Sequence, residues 1–331
     1  MLSRAADAVY WMSRYLERAG NIARFLDVNW HLTLDVQDQY LDQWMPLVVT
    51  TGDYKDFQAR YQEESKEGCI YFLTADPVNP NSILSCARAA RQNAIFVRDI
   101  LPADMWEAIN VLYHQVQHAC ERPETIQMMP NSFCADVKWR SLTIGGIAWE
   151  TMSHNEPWRF FRLGALLERA DKTSRILDVK YFMLLPSINH VGSTLDYIQW
   201  GALLKAVSGF QAFRHDYGRI VPEKVAEFLI LDRVFPRSIL YCLSQAQSCL
   251  HDLTGNNLGR FTTSAERYLG QICSSLSYKT IQDIFDQGLH EFTEELQMKM
   301  NRLDTAVFDT FFSLWPGVQQ EVVQEQINAG G

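Results

Sequence analysis

Two Glu-Arg dipeptides carry the strongest chemical signal in this sequence: Glu17-Arg18 and Glu168-Arg169. Each sits in the pattern Leu-Glu-Arg-Ala, four variable residues, Arg, one variable residue, Leu-Asp-Val, so Arg24 and Arg175 recur with them. The copies lie 151 residues apart (168 − 17). At about 100° per residue on a helix, Glu17 and Arg24 project within about 20° of each other, two turns apart. Arg14 and Asn21 lie beside them; in the second copy Lys172 joins the stripe and Ala165 stands where an arginine is expected. Arg18 and Arg169 point about 100° away from the glutamates beside them, so each must find its partner on another element. Two chemistries follow. In the first, Glu–Arg pairs between helices fix how those helices cross. In the second, Glu17 and Glu168 approach one cavity ringed by Arg24, Arg175 and Arg14. Its guanidinium forks bind the carboxylate or phosphate of an anionic or zwitterionic ligand.

A second candidate lining is the stretch Arg88, Arg91, Ile95 and Arg98, whose three- and four-residue spacing puts three guanidiniums on one helical face. A solvated face is the plain alternative. The loop Asn79-Pro80-Asn81-Ser82 precedes this helix and leaves free N–H groups at its N-terminus, a ready anion site. Phe235-Pro236-Arg237-Ser238 takes the same place in the second half. Other chemistries lack their residues. There is no Gly-x-x-x-x-Gly-Lys-Ser/Thr or Gly-x-Gly-x-x-Gly loop for a nucleotide, no Glu-x-x-His for a di-metal bundle, and no aspartate-rich run for Mg-diphosphate. His114 and His118 have a chelating spacing, but no carboxylate or cysteine on that helix completes a site. No metal site and no cofactor are expected in this chain. Trp106, Trp149 and Trp158 read as core anchors.

Helices must position these groups. Apolar and small residues at helical spacing predict a first helix over 2–29 with Ser3 as its N-cap. Further helices follow around 30–48 and 53–64, broken at Thr50-Thr51-Gly52-Asp53, then over 83–100 behind a Ser82 cap. Pro102 opens a helix over 103–120; a loop at Arg122–Asn131 leads to another over 132–153. The second half repeats the first at a constant offset of 156. Trp44, Phe57, Tyr61, Phe72-Leu73, Asp76, Pro80, Ser82-Ile83-Leu84 and Cys86 match Trp200, Phe213, Tyr217, Phe228-Leu229, Asp232, Pro236, Ser238-Ile239-Leu240 and Cys242. No segment alternates with period two. The expected fold is all-α: a multi-helix bundle of two tandemly duplicated, pseudo-symmetric halves, 1–154 and 155–315. The halves merge into one domain, and 316–331 is a mobile tail.

The chain of 331 residues is long enough for a large core, and its net charge of −9 with dispersed arginines excludes a nucleic-acid partner. Seven scattered cysteines without a Cys-x-x-Cys pair fit reduced thiols. No apolar run is long enough to cross a membrane, and charges interrupt the N-terminus, so a cytoplasmic location is expected.

The motifs together resemble the alpha-E domain family: Tyr10-Trp11-Met12-Ser13-Arg14-Tyr15-Leu16-Glu17-Arg18-Ala19, Asn79-Pro80-Asn81-Ser82-Ile83, Ala90-Arg91-Gln92-Asn93-Ala94, Val97-Arg98-Asp99 and Leu167-Glu168-Arg169-Ala170-Asp171. The likeness covers residues 1–315. It implies an all-helical bacterial protein acting beside a circularly permuted ATP-grasp ligase, with a transglutaminase-like protein nearby, in amide-bond formation on a peptide or amino compound. ATP and Mg would then sit on the ligase. The chain departs from the family pattern at Gln92, where glutamate is usual, and at Gly20, where Asn or Glu is common. The first expectation is a partner subunit that holds an anionic or zwitterionic substrate through Arg14, Arg18, Asn21, Arg24, Arg88, Arg91, Arg98, Arg169 and Arg175. The second is an enzyme using Glu17 or Glu168 as general base, which needs a carboxyl with a raised pKa beside an open pocket. The third is a scaffold, which needs both glutamates fully paired and no cavity beside them. Of the two halves, the first is expected to carry the functional site.

Overall fold

Apolar residues at helical spacing, with alanines between them, make Ser3–Asp35 one continuous helix, α1. It runs past the expected stop at residue 29. Ala5 and Ala6 donate their N–H groups to the Leu2 carbonyl. The Ser3 hydroxyl donates to the Phe312 carbonyl instead of capping, so it ties two distant parts of the chain together. The computed structural model describes residues 1–35, 44–182 and 194–313. Residues 316–331, the expected tail, lie outside the described residues.

Among the described residues there are sixteen helices and no strand. After α1 come α2 (Met45–Thr51), α3 (Tyr54–Arg60), α4 (Lys66–Thr74), α5 (Ile83–Phe96), α6 (Ala103–Cys120), α7 (Pro123–Met128) and α8 (Pro130–Thr151). Then follow α9 (Glu156–Phe182), α10 (Thr194–Ala206), α11 (Phe210–Asp216), α12 (Pro222–Ile230), α13 (Ile239–Thr254), α14 (Ser264–Tyr278), α15 (Ile281–Gln287) and α16 (Leu289–Phe311). α7 occupies the stretch read from sequence as a loop. Its six residues, opened by Pro123 at the first helical position, are too few to show a period. α5 stops at Phe96, four residues before the expected end, so Arg98 lies beyond it.

The two long helices α1 and α9 pack along each other and form the axis of the molecule. α1 is flanked by α5 and α8, and α9 by α13 and α16; α6 and α14 close the outside. The hydrophobic core is continuous from Ala6 to Phe312. Val9, Met12, Ile22 and Leu26 are fully buried along α1, and Leu163, Ala170 and Leu177 along α9. Each large buried side chain contributes roughly 1.5–3 kcal/mol.

Local geometry recurs at several of the positions that repeat at the offset of 156, although Trp44 precedes α2 while Trp200 lies inside α10. Phe57 stacks on Tyr61 at 4.6 Å with Phe72 edge-on, and Phe213 stacks on Tyr217 at 5.2 Å with Phe228 edge-on. Asp76 accepts from the Tyr61 hydroxyl and the Val78 N–H; Asp232 accepts from the Tyr217 hydroxyl and the Val234 N–H. Ser82 caps α5 by accepting the Ser85 N–H, and Ser238 caps α13 by accepting the Tyr241 N–H. Each hydroxyl also donates to the carbonyl of the loop aspartate, Asp76 or Asp232. Losing a cap and a loop tie together sets an expected cost. Ser82→Ala and Ser238→Ala should each lower stability by about 1–2 kcal/mol in urea unfolding.

Candidate functional site

The side chains of the two Glu-Arg motifs meet at the α1–α9 seam, and they exchange partners. Glu168 accepts from Arg18 Nε at 2.6 Å and Arg18 Nη2 at 2.9 Å; Glu17 accepts from Arg169 Nε at 3.2 Å and Arg169 Nη2 at 2.9 Å. Each arginine thus reaches across to the glutamate of the other motif in a two-point fork. The 100° separation on one helix is the cause. A glutamate facing the seam turns its neighbouring arginine away from itself and towards the opposite helix.

These crossed pairs fill the seam, so the single ring of Glu17, Glu168, Arg24, Arg175 and Arg14 expected from sequence does not form. The structure places two separate cavities instead. One, of about 220 Å³, lies between α1, α8 and α9 and takes Glu17, Arg24 and Arg169 into its wall. The other, of about 240 Å³, lies between α1, α9 and α16 and takes Arg14, Arg18, Lys172 and Arg175. Glu168 is fully buried between them.

The second cavity is close to charge balance. Arg14 Nε binds Glu168 at 2.9 Å and Arg14 Nη1 binds Asp304 at 2.7 Å. Lys172 lies 3.2 Å from Asp171, and Arg175 Nε binds both oxygens of Asp171 at 2.9–3.0 Å. Asn81 accepts from Arg18 and donates to Asp53. Burial works against the charge on Arg14, but Tyr10, Asp304 and Glu168 outweigh it and hold the guanidinium protonated.

The first cavity is not balanced. Arg24, Arg169 and Arg237 gather round one carboxylate, Glu17, whose oxygens also accept from Arg237 Nη1 at 2.8 Å and Asn21 Nδ2 at 3.3 Å. Arg24 is 3% exposed and donates through Nη1 to Asn21 at 3.0 Å; among the described residues its Nε has no hydrogen-bond partner. Burial first, then the neighbouring Arg237 and Arg169, push Arg24 down to about 9, against the pull of Glu17. Most of the remaining lining is apolar or aromatic, including Leu16, Trp149, Trp158 and Phe161, with Ala165 where α1 carries Arg14; Ser13, Ser141 and Arg162 add polar groups. Arg162 lies over both tryptophan rings, at 5.1 and 5.3 Å.

Burial alone would raise both glutamates, yet Arg169 and Arg237 hold Glu17 well below the usual carboxylate range, and Arg18, Lys172 and Arg14 do the same for Glu168. That is opposite to the raised pKa a general base at neutral pH needs. Three other expected site residues lie elsewhere. Arg91 binds Asn110 of α6 at 2.7 Å and lies over Tyr113, Arg98 lies over Trp106, and Arg88 is half-buried on α5; none lines either cavity. Sequence reasoning missed Arg237, Asp304 and Tyr10. Arg237 carried a usable signal, since it matches Asn81 at the offset of 156. Tyr10 stands in the motif Tyr10-Trp11-Met12-Ser13-Arg14, but nothing there marks it as a partner of Arg14, and Asp304 is one of many charges on α16.

A family model described as "a predicted alpha-helical domain with a conserved ER motif" matches residues 1–312. The chain belongs to the Alpha-E family. Both of its Glu-Arg motifs are at the seam just described. The chain is similar to the uncharacterized proteins Rv2567 and MT2643 of Mycobacterium tuberculosis and Mb2597 of Mycobacterium bovis. Each is 25% identical over 271 residues, 77% of this chain. The chain spans 30% of the length of these curated relatives. No solved structure matches this Alpha-E chain. Among the described residues no helix is long and apolar enough to cross a membrane.

Proposed function

We propose that this Alpha-E protein is a non-catalytic partner subunit of a circularly permuted ATP-grasp ligase in ATP-dependent amide- or peptide-bond formation. It holds an anionic group of the substrate in the cavity between α1, α8 and α9, while ATP and Mg belong to the ligase. The observation that carries the binding role is Arg24, a guanidinium removed from water with no carboxylate of the described residues bonded to it. A buried cation of this kind is costly unless an anion completes it. The partnership rests on the family resemblance. The relatives support it, because the matched region there is joined to more than twice its own length of further polypeptide. The low pKa and full pairing of Glu17 and Glu168 favour this role over that of an enzyme with a glutamate base. The Leu-Glu-Arg-Ala repeat, the offset-156 identities and the exchanged ion pairs support a tandem duplication, with halves 1–154 and 155–315 sharing one core. A cytoplasmic place, and a transglutaminase-like protein as a further partner, belong to the same reading.

The test is co-purification with the ATP-grasp ligase encoded nearest to it, followed by ADP release with each protein alone and with both. A stable complex, with substrate-dependent ADP release only when both are present, is the expected result. A ligase that turns over unaided and forms no complex would overturn the partnership.

A further inference from the structure

We propose that the cavity between α1, α8 and α9 binds an organic carboxylate with a compact aromatic body. The ligand's carboxylate takes on Arg24 the place that Asp171 takes on Arg175. This deepens the substrate-binding reading above and does not depend on the ligase.

The two motif copies supply the comparison. In the second, Asp171 follows Leu-Glu-Arg-Ala, and its carboxylate accepts from the Nε of Arg175 four residues on. In the first, the residue after Leu-Glu-Arg-Ala is Gly20, and the Nε of Arg24 four residues on has no partner among the described residues. The acceptor that one copy carries in its own chain is missing from the other. The place for it is near but tight. Gly20 lines the cavity, and a Cβ built there would lie 3.4 Å from Arg24 Nη1 and only 3.0 Å from Ser141 Cβ, so the Ser141 side chain must shift by a few tenths of an ångström to admit it. The position opposite Arg14 differs in the same sense: Ala165 leaves apolar room in this cavity where Arg14 fills the other.

The remaining walls define the ligand. Arg24 and Arg169 provide guanidiniums on one side, with Arg237 behind them on Glu17. Glu17 is engaged by Arg169, Arg237 and Asn21, so it has no free oxygen for an ammonium group. Four arginines counting Arg162 repel an amine. On the other side Trp149 and Trp158, with ring centroids 5.6 Å apart, and Phe161 form an aromatic wall. An apolar cavity of roughly 150 Å³ holds one benzene. At about 220 Å³, this one has room for a ring plus a carboxylate. A free aromatic acid and a peptide ending in an aromatic residue share this chemistry.

Calorimetric titration of the full chain tests the proposal with five probes. They are 3-phenylpropionate, 2-phenylethylamine, inorganic phosphate, and a tripeptide ending in phenylalanine with its C-terminus free or amidated. The expected result is saturable binding of 3-phenylpropionate or the free tripeptide with a Kd on the order of 0.1 mM, and none of the amine or the amide. Tighter binding of the tripeptide identifies the source as a peptide C-terminus; tighter binding of phenylpropionate identifies a small acid. Gly20→Asp puts the missing carboxylate back on the chain, and Gly20→Ala controls for crowding against Ser141. Gly20→Asp should weaken binding at least tenfold relative to Gly20→Ala and melt at a higher temperature than it. Arg24→Met should also lose binding while remaining folded by circular dichroism. The proposal is overturned if no carboxylate binds the wild-type protein, if phosphate alone binds as tightly as phenylpropionate, or if Gly20→Asp binds as well as Gly20→Ala. A ligase complex formed without any carboxylate binding would sink this proposal and leave the partnership standing. Carboxylate binding without a complex would do the reverse.

Discussion

Glu168→Gln should lower stability by about 4 kcal/mol, the range expected when one partner of a buried ion pair is removed. The side chain is fully buried, and its two oxygens accept from Arg18 Nε, Arg18 Nη2 and Arg14 Nε within 2.6–2.9 Å. Lys172 stands 3.7 Å away. Glutamine keeps the volume but offers one acceptor oxygen and turns an NH2 group towards guanidiniums that are largely buried. Urea unfolding of Glu168→Gln, Arg18→Gln and the double variant checks the cause. The double variant should be less destabilised than the sum of the singles, because the strongest stranded charge is removed with its partner. Acidification carries the same signature. The folded pKa of Glu168 lies well below its ordinary value, so its contribution is fully present above the unfolded pKa of about 4.3 and is lost as pH falls through the folded value. Below pH ~4 the wild type should therefore lose stability more steeply than Glu168→Gln. Equal slopes would mean that the carboxylate is not the group being titrated.

Gly164→Ala should cost about 2 kcal/mol, for a steric reason. A Cβ at Gly164 of α9 would lie 2.5 Å from the Tyr10 carbonyl oxygen of α1, and closer still to Ser13 Oγ. Ser13 cannot yield freely, since its hydroxyl donates to that same carbonyl at 2.8 Å. The backbones must move apart at the crossing, and the crossed Glu–Arg pairs are set by that spacing. Gly146→Ala in α8 is the contrast. Nothing lies within 4 Å of the Cβ it would gain, so it should be neutral or stabilise by up to ~1 kcal/mol through helix propensity. Thermal or urea melts of the two variants separate close approach from a general intolerance of change. A Gly164→Ala protein as stable as Gly146→Ala would mean that the seam is slack.

Much of this architecture was legible in the sequence, and the reasons are local. The Ser82 cap and the Pro102 start set helix beginnings through backbone chemistry that needs no distant partner, and Ala103–Cys120 falls where it was expected. The angular argument that Arg18 and Arg169 must pair off their own helix holds, because helical geometry fixes it. What the sequence could not give was the facing of whole elements. Glu17 and Glu168 share a spacing, but whether two helices bring them into one cavity or separate them depends on the crossing, which Gly164 and the small residues around it decide in three dimensions. Arg88, Arg91 and Arg98 share a spacing, yet α5 ends before Arg98, which lies over Trp106, while Arg91 turns to Asn110 and Tyr113 and not to the seam. The most informative positions were those that differ between the copies. Ala165 against Arg14 already marks a lost charge in one dimension, and Gly20 a departure from the family pattern; in three dimensions they line two cavities of different charge.

The exchanged pairing also sets an order of events during synthesis. α1 is complete once residue 35 has been made, but its principal packing partner, α9, ends at Phe182. At about 5–20 residues per second, the ribosome leaves that face of α1 waiting for roughly 7–30 s. Arg14, Glu17, Arg18 and Arg24 lie along it among the apolar residues. They are expensive to bury in the finished molecule, but while the face is bare they are hydrated and interrupt its apolar surface.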